Sequence, residues 1–182
     1  LPGDRPGNDT AAVTTGRSPA GGSDTIHLVP DVGLSDAGLQ AALTHEAVHV
    51  VLREQHGANA PLWLVEGFAQ EIGYADLDLP AGRIAAEGLA DIAARGLPRA
   101  LPTDQEFDAH PGVAYPLAWR AVHVLTHRAG QAAVRDLVGR CADDPAGPST
   151  CSAHVARVWG APLASFVEAW RADLAQLATH RP

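Results

Sequence analysis

From Ser35 onwards, glycines and prolines divide the sequence into segments with the apolar spacing of α-helices. Ser35 and Asp36 offer an N-cap for the first segment, which runs to about Gln55 and is closed by Gly57. The segments after it predict further helices over about 62–72, 83–95, 115–128, 131–140, 152–159 and 162–178. Most of the chain after residue 35 is therefore predicted to be helical.

Three segments depart from this helical pattern. Residues 12–15 and 25–29 are short β-prone runs on either side of a turn rich in Gly, Pro and Ser, and they predict a β-hairpin. Residues 97–113 contain three prolines and predict an irregular loop. The sequence thus indicates an α+β fold that is mostly helical, with a small N-terminal β-hairpin or sheet.

The sequence indicates one domain rather than two. Residues 1–10, rich in Pro, Gly, Asp and Asn, predict a flexible leader, and neither a linker nor an internal repeat interrupts residues 11–182. Within this domain, residues 11–75 hold the hairpin and the first two helices, and residues 76–182 form a helical C-terminal half. The 182 residues suffice for one buried core, and we expect a monomer.

Composition and charge argue against two classes of protein. Apolar residues make up 46% of the chain and charged residues 19%, which is typical of a globular domain. The net charge is −8 and the 13 basic side chains are scattered arginines, so a nucleic-acid partner is not expected. No apolar run approaches the roughly 18–20 residues that cross a bilayer, so this sequence is not expected to span a membrane.

The two cysteines bear on the compartment of the protein. Cys141 and Cys151 flank a segment rich in turn-forming residues, which lets their sulfurs meet in a disulfide; two free thiols in a reducing compartment are the alternative. A disulfide favours an extracytoplasmic location, either secreted or tethered to the cell surface. The chain begins at Leu1 and contains no Met, so we expect a processed fragment, with room upstream for a signal peptide or an anchor.

A His-Glu-x-x-His motif lies within the first predicted helix, at His45, Glu46 and His49. Four residues turn a helix by about 400°, so the two imidazoles stand on one face, where both can reach one zinc ion. Glu46 lies beside this pair and is placed to take a proton from a zinc-activated water. Because short motifs recur by chance, the motif alone is only moderately specific.

A carboxylate in the second predicted helix offers a third ligand. Glu66 stands in the apolar run LWLVEGFA, where a carboxylate is costly unless it is paired or bound to a metal. The short connection 53–60 lets the two helices fold back on each other, so Glu66 is predicted to face His45 and His49. Two histidines, one carboxylate and an open fourth position form the ligand set of a catalytic zinc site. A chance pattern with a buried ion pair is the alternative.

The pairing of Thr-His-Glu-Ala-Val-His with Pro-Leu-Trp-Leu-Val-Glu-Gly-Phe-Ala resembles the gluzincin metallopeptidases, in particular their bacterial peptidase-MA-like branch. The clear match covers about residues 26–73. The resemblance implies a thermolysin-like catalytic domain of bacterial type, with one zinc ion bound by His45, His49 and Glu66. It also implies that a zinc-activated water hydrolyses peptide bonds in a peptide or protein substrate, with Glu46 as the general base.

The resemblance further implies a side chain that stabilises the oxyanion formed during peptide hydrolysis, since gluzincins use a Tyr or a His for this. Tyr115 is the first candidate for this catalytic role, and Tyr74 and His110 are weaker ones. The alternative for Tyr115 is a ring that only packs at the start of a helix.

Other interpretations stay open at this point. The chain could be a catalytically silent zinc-binding or interaction domain, or a zinc hydrolase that cleaves a non-peptide amide or ester. A second pair with i,i+4 spacing, His123 and His127, lacks an intervening Glu and an obvious third ligand. We expect a structural or solvent-facing role for this pair, with an incidental metal contact as the alternative.

Overall fold

The computed structural model describes residues 12–15, 25–28 and 35–179. The predicted leader, the predicted hairpin turn at 16–24 and the end of the second predicted strand at Val29 lie outside the described residues. The described strands are β1 (Ala12–Thr15) and β2 (Thr25–Leu28). The described helices are α1 (Asp36–Gln55), α2 (Leu62–Tyr74), α3 (Ala81–Ile84), α4 (Ala86–Arg95), α5 (Asp104–Ala109), α6 (Pro111–Ala129), α7 (Gln131–Asp143), α8 (Pro148–Trp159) and α9 (Leu163–Thr179).

The two strands form a small antiparallel sheet beside α1. Ala12 lies opposite Leu28, and Thr15 lies opposite Thr25. Both strands contact α1, and this contact supports a two-stranded sheet that would be marginal alone in water. The mostly helical fold is confirmed, whereas the hairpin stays a prediction because its turn lies outside the described residues.

Helix α6 is the centre of the described structure. It contacts α2, α4, α5, α7, α8 and α9, and its contact with α2 is the most extensive. The side chains of Ala118, Ala121, Val122 and Leu125 are fully buried at these contacts. The position of α2, which carries Glu66, is therefore set by the core of the molecule.

Two glycines let α2 approach its neighbours closely. A Cβ atom at Gly67 would lie 2.5 Å from the carbonyl oxygen of Ala118 in α6, and one at Gly73 would lie 2.9 Å from the carbonyl oxygen of Ala41 in α1. The sequence predicts Gly73 as the end of this helix, but α2 continues to Tyr74. Gly73 thus allows helix packing instead of ending the helix.

The irregular loop predicted over 97–113 is wrong in part, because this segment contains α5 and the start of α6. Glu106 accepts the backbone N–H of Thr103 at 2.7 Å, which stabilises the N-terminus of α5. Pro111 and Pro148 are the first residues of α6 and α8, where a missing N–H costs no helical hydrogen bond. Both helices begin at these prolines, four residues earlier than the starts predicted at about 115 and 152.

The single helix predicted over 83–95 is divided into α3 and α4. Ala85 lies between them with φ −90° and ψ 12°, and its side chain is buried in the core. No glycine or proline marks this break, so the sequence gives no sign of it.

The predicted disulfide is present. It joins Cys141, near the end of α7, to Cys151 in the first turns of α8, and both cysteines are buried. A disulfide of this kind favours an extracytoplasmic compartment. Among the described helices, none is long and apolar enough to cross a lipid bilayer.

Candidate metal centre

Helix α1 brings His45 and His49 together on one face. Their rings are 4.7 Å apart between centroids, and their Nε2 atoms are 3.0 Å apart. The N-terminus of α1 is capped by Ser35, whose hydroxyl oxygen accepts the backbone N–H of Gly38. The helical spacing of the two histidines thus yields the convergence of nitrogen atoms that the sequence predicts.

Helix α2 brings Glu66 to the same point. Its Oε2 atom lies 3.2 Å from Nε2 of His45 and 3.2 Å from Nε2 of His49. All three side chains are mostly buried, with exposed fractions between 15% and 17%. In the described part of the chain, His45, His49 and Glu66 are the one group of three such side chains close enough to hold a metal ion.

Hydrogen bonds alone do not account for this arrangement. Each neutral imidazole carries one N–H, so if both Nε2 atoms donate to Glu66, no proton remains for the 3.0 Å contact between them. Ligand atoms of a tetrahedral zinc ion, at about 2.0–2.1 Å from the metal, lie about 3.3 Å from one another. The three separations of 3.0, 3.2 and 3.2 Å are close to that spacing. The donor set therefore fits one ion of zinc size.

The site carries a negative charge suited to a cation. Burial acts to raise the pKa of Glu66, but the hydrogen bonds from His45 and His49 outweigh it and lower this pKa to about 2. Burial acts to lower the pKa of His49, but its hydrogen bond to Glu66 and the Glu66 charge raise it overall. The Glu66 carboxylate is therefore ionised throughout the neutral pH range.

Glu46 belongs to the same electrostatic environment. Its side chain is half-buried on α1, and its charge contributes to raising the pKa values of both His49 and Tyr115. The negative charge of Glu46 thus contributes to the electrostatic potential around His45, His49 and Glu66. The role of Glu46 as the general base stays a prediction.

Of the three candidates for oxyanion stabilisation, Tyr115 lies at the group. Its ring is 6.4 Å from the His45 ring and 5.0 Å from the Phe107 ring, and Phe107 packs edge-on against it. Burial is the main cause that raises the Tyr115 pKa, and the charges of Glu66 and Glu46 and a hydrogen bond to Glu66 add to it. The hydroxyl therefore stays protonated and remains a donor. Tyr115 lies in the second turn of α6 and not at the helix start.

The two weaker candidates lie elsewhere. Tyr74 packs edge-on against Trp119 with ring centroids 5.5 Å apart, and it lies eight residues after Glu66, about 12 Å along α2. His110 lies at the junction of α5 and α6 and lines a cavity together with Asp91, Arg95 and Glu106.

Glu71, which no sequence motif marks, pairs with His123. Both carboxylate oxygens of Glu71 lie 3.2 Å from Nδ1 of His123, and one of them accepts the indole N–H of Trp119 at 2.9 Å. The ring of His127 is 6.3 Å from that of His123. These contacts link α2 to α6, which agrees with the structural role expected for His123. The signal in the sequence is a second carboxylate five positions after Glu66.

Gln70 is another residue that the sequence analysis did not single out. Its side-chain oxygen is buried and has no hydrogen-bond partner among the described residues. It lies one helical turn beyond Glu66 and just before Gly73, where a Cβ would be 3.6 Å from Cβ of His45. Gln70 thus lies on the part of α2 that faces α1.

Comparisons of the chain with protein-family models, with curated proteins and with solved structures find no match. The geometry of this group and the chemistry of its residues therefore carry the functional conclusion.

Proposed function

We propose that this protein is a zinc-dependent metallopeptidase of the gluzincin type, with a thermolysin-like catalytic domain. The observation that carries the proposal is the meeting of two Nε2 atoms and one carboxylate oxygen within 3.2 Å of one another. His45, His49 and Glu66 would hold a single zinc ion and leave a coordination position open. Glu46 on the same helix supplies the base that hydrolysis needs.

Zinc in this position would supply Lewis acidity, which lowers the pKa of water and polarises a carbonyl group. Glu46 accepts the proton of the attacking water and passes it to the amine that leaves when the peptide C–N bond breaks. Tyr115, kept protonated by burial and by the neighbouring carboxylates, donates a hydrogen bond to the oxyanion of the tetrahedral intermediate.

The proposal extends to the substrate and the location of the protein. The substrate is a peptide or protein, bound between the N-terminal part that carries the zinc ligands, 11–75, and the helical C-terminal half, 76–182. The Cys141–Cys151 disulfide supports an extracytoplasmic protein, secreted or tethered to the surface of a bacterial-type cell. We propose that it acts as a monomer.

The decisive experiment combines zinc content with peptide cleavage by the wild type and by Glu46→Gln. We expect the wild type to bind one zinc ion and to cleave peptides. Glu46→Gln should keep the zinc and lose activity by about 100-fold or more, because the amide accepts no proton. Glu54→Gln is the matched control, since it removes the same charge from α1 two turns further on, and it should retain wild-type activity.

Three outcomes would contradict the proposal in different ways. Wild-type protein that binds zinc and cleaves short esters or amides but no peptide would be a hydrolase of non-peptide substrates. Protein that binds zinc without turning over any of these would be a silent zinc-binding domain. Full peptide cleavage by Glu46→Gln would remove the proposed mechanism altogether.

A further inference from the structure

The connection between α1 and α2 is bound to the end of α7. Asp143, the last residue of α7, accepts the backbone N–H of Gly57 at 2.7 Å with one carboxylate oxygen. Its other oxygen lies 2.9 Å from Nδ1 of His56. The backbone N–H of Asn59 donates to the carbonyl oxygen of Ala142 at 3.2 Å. Polar contacts at His56, Gly57 and Asn59 thus hold this short connection in place.

The two segments also touch without room for a side chain between them. A Cβ atom at Gly57 would lie 2.5 Å from the carbonyl oxygen of Ala142. A Cβ atom at Gly139, one turn earlier in α7, would lie 2.6 Å from Cε1 of His56. The close approach therefore requires a glycine at position 57. The predicted role of Gly57 in ending α1 is taken by His56, whose backbone N–H donates to the carbonyl oxygen of Leu52.

The end of α7 is itself a fixed support. Cys141 lies two residues before Asp143 and is cross-linked to Cys151 of α8, and both cysteines are almost completely buried. Val134, Leu137 and Val138 of α7 are also buried in the core. The carboxylate of Asp143 therefore projects from a segment that cannot shift freely.

We propose that Asp143 is a positioning residue for the metal centre. The ligands come from two helices, and the connection that Asp143 holds is the direct covalent link between them. His49 precedes His56 by two turns of α1, and Glu66 follows Pro61 by little more than one turn of α2. Fixing the connection fixes the distance of Glu66 from the histidines, and displacements of about 1 Å at such sites have large effects. This proposal rests on the zinc site proposed above.

Asp144 provides a matched control. It is adjacent to Asp143, and its carboxylate contacts the backbone N–H of Ala146 at 2.9 Å, His154 at 3.2 Å and the side chain of Thr150. The Asp143 side chain is 54% exposed and that of Asp144 is 20% exposed. The pKa of each carboxylate is lowered, first of all by its backbone hydrogen bond. The partners of Asp144 lie between α7 and α8 and within α8, not in the connection between the metal-site helices.

The test compares Asp143→Ala, Asp143→Asn and Asp144→Ala in the full chain. The zinc Kd is measured by competition with a chromophoric chelator, and the Co²⁺ absorption spectrum reports the ligand set. We expect Asp143→Ala to raise the zinc Kd by about tenfold or more and to alter the Co²⁺ spectrum. Asp143→Asn, which keeps an acceptor for Gly57, should show a smaller increase. Asp144→Ala should match the wild type within about twofold.

Thermal unfolding of the metal-free proteins separates positioning from general stability. If Asp143→Ala and Asp144→Ala have the same zinc Kd, or if Kd follows only the loss of thermal stability, the positioning role is refuted. Should Asp143→Ala fail to fold, the comparison of Asp143→Asn with Asp144→Asn decides in the same way. Failure of the wild type itself to bind zinc would instead refute the proposed function.

Discussion

At the scale of single residues, the decisive feature is a carboxylate buried between two imidazoles. An isolated buried carboxylate is costly, and Glu66 is tolerated because two imidazoles lie within 3.2 Å of its Oε2 atom. The same packing brings three atoms that could serve as metal ligands close together.

Tyr115 gives the prediction that belongs to this scale. We expect Tyr115→Phe to lower kcat for peptide cleavage by about 100-fold, because it removes a donor to the oxyanion, while the zinc Kd changes by less than about threefold. Steady-state kinetics and zinc titration measure the two effects separately. Tyr74→Phe, which removes a hydroxyl from the ring packed on Trp119, is the control and should behave as the wild type. A raised zinc Kd with unchanged kcat would mean that Tyr115 only supports Glu66.

At the scale of secondary-structure elements, the site depends on how α2 packs between α1 and α6. Gly73 permits the approach to α1, and Gly67 permits the approach to α6. Helix α5 contacts both α6 and α2. Its Phe107 packs against Tyr115 of α6, and its Asp104 accepts the backbone N–H of Leu62, at the start of α2, at 3.0 Å. The contacts of α5 therefore stabilise the positions of both the helix that carries Glu66 and the helix that carries Tyr115.

Substitution of Gly67 tests this packing. We expect Gly67→Ala to reduce the free energy of unfolding by about 1–3 kcal/mol, because the new Cβ would clash with a backbone oxygen that cannot turn aside. Gly82→Ala is the control: apart from its chain neighbours and its own helix backbone, no atom of the described residues lies within 4 Å of its Cβ position, and alanine is the better helix former. It should leave stability unchanged or raise it by up to about 1 kcal/mol. Equal urea midpoints for Gly67→Ala and the wild type would contradict the close approach of α2 and α6.

At the scale of the whole molecule, the site combines residues from distant parts of the chain. His45 and Glu66 come from the first two helices, and Tyr115 comes from the central helix. The buried bidentate pair of Arg120 with Asp173, at 2.9 and 2.6 Å, ties α6 to α9. The site is thus an outcome of the global packing and not of one local segment.

Removal of the disulfide tests the global stability. We expect Cys141→Ala/Cys151→Ala to lower the free energy of unfolding by up to about 3 kcal/mol, because an open loop gives the unfolded chain more conformations. Urea denaturation under non-reducing conditions measures this loss. Wild-type protein reduced with a phosphine keeps both sulfur atoms and should match the double variant. An unchanged urea midpoint in both cases would show that the packing of α7 and α8 suffices without the cross-link.

The sequence by itself determined what depends on near neighbours. His45 and His49 face each other because of helical periodicity, and Cys141 meets Cys151 because a short flexible loop joins them. The helical character of the chain follows from the local spacing of its apolar residues. The sequence also paired Glu66 with the histidines, since a lone carboxylate in an apolar helix needs a partner.

Only the tertiary structure decided what depends on contacts between distant elements. It placed Tyr115, and not Tyr74, beside His45, His49 and Glu66, because α6 packs closely on α2 at Gly67. At that position the carbonyl oxygen of Ala118 lies too close to α2 for a side chain. It gave Glu71 and Asp143 their partners, 52 and 87 positions away in the chain. Such contacts leave no periodic signal in the sequence, because they are fixed by the packing of the whole core and not by the conformation of any one segment.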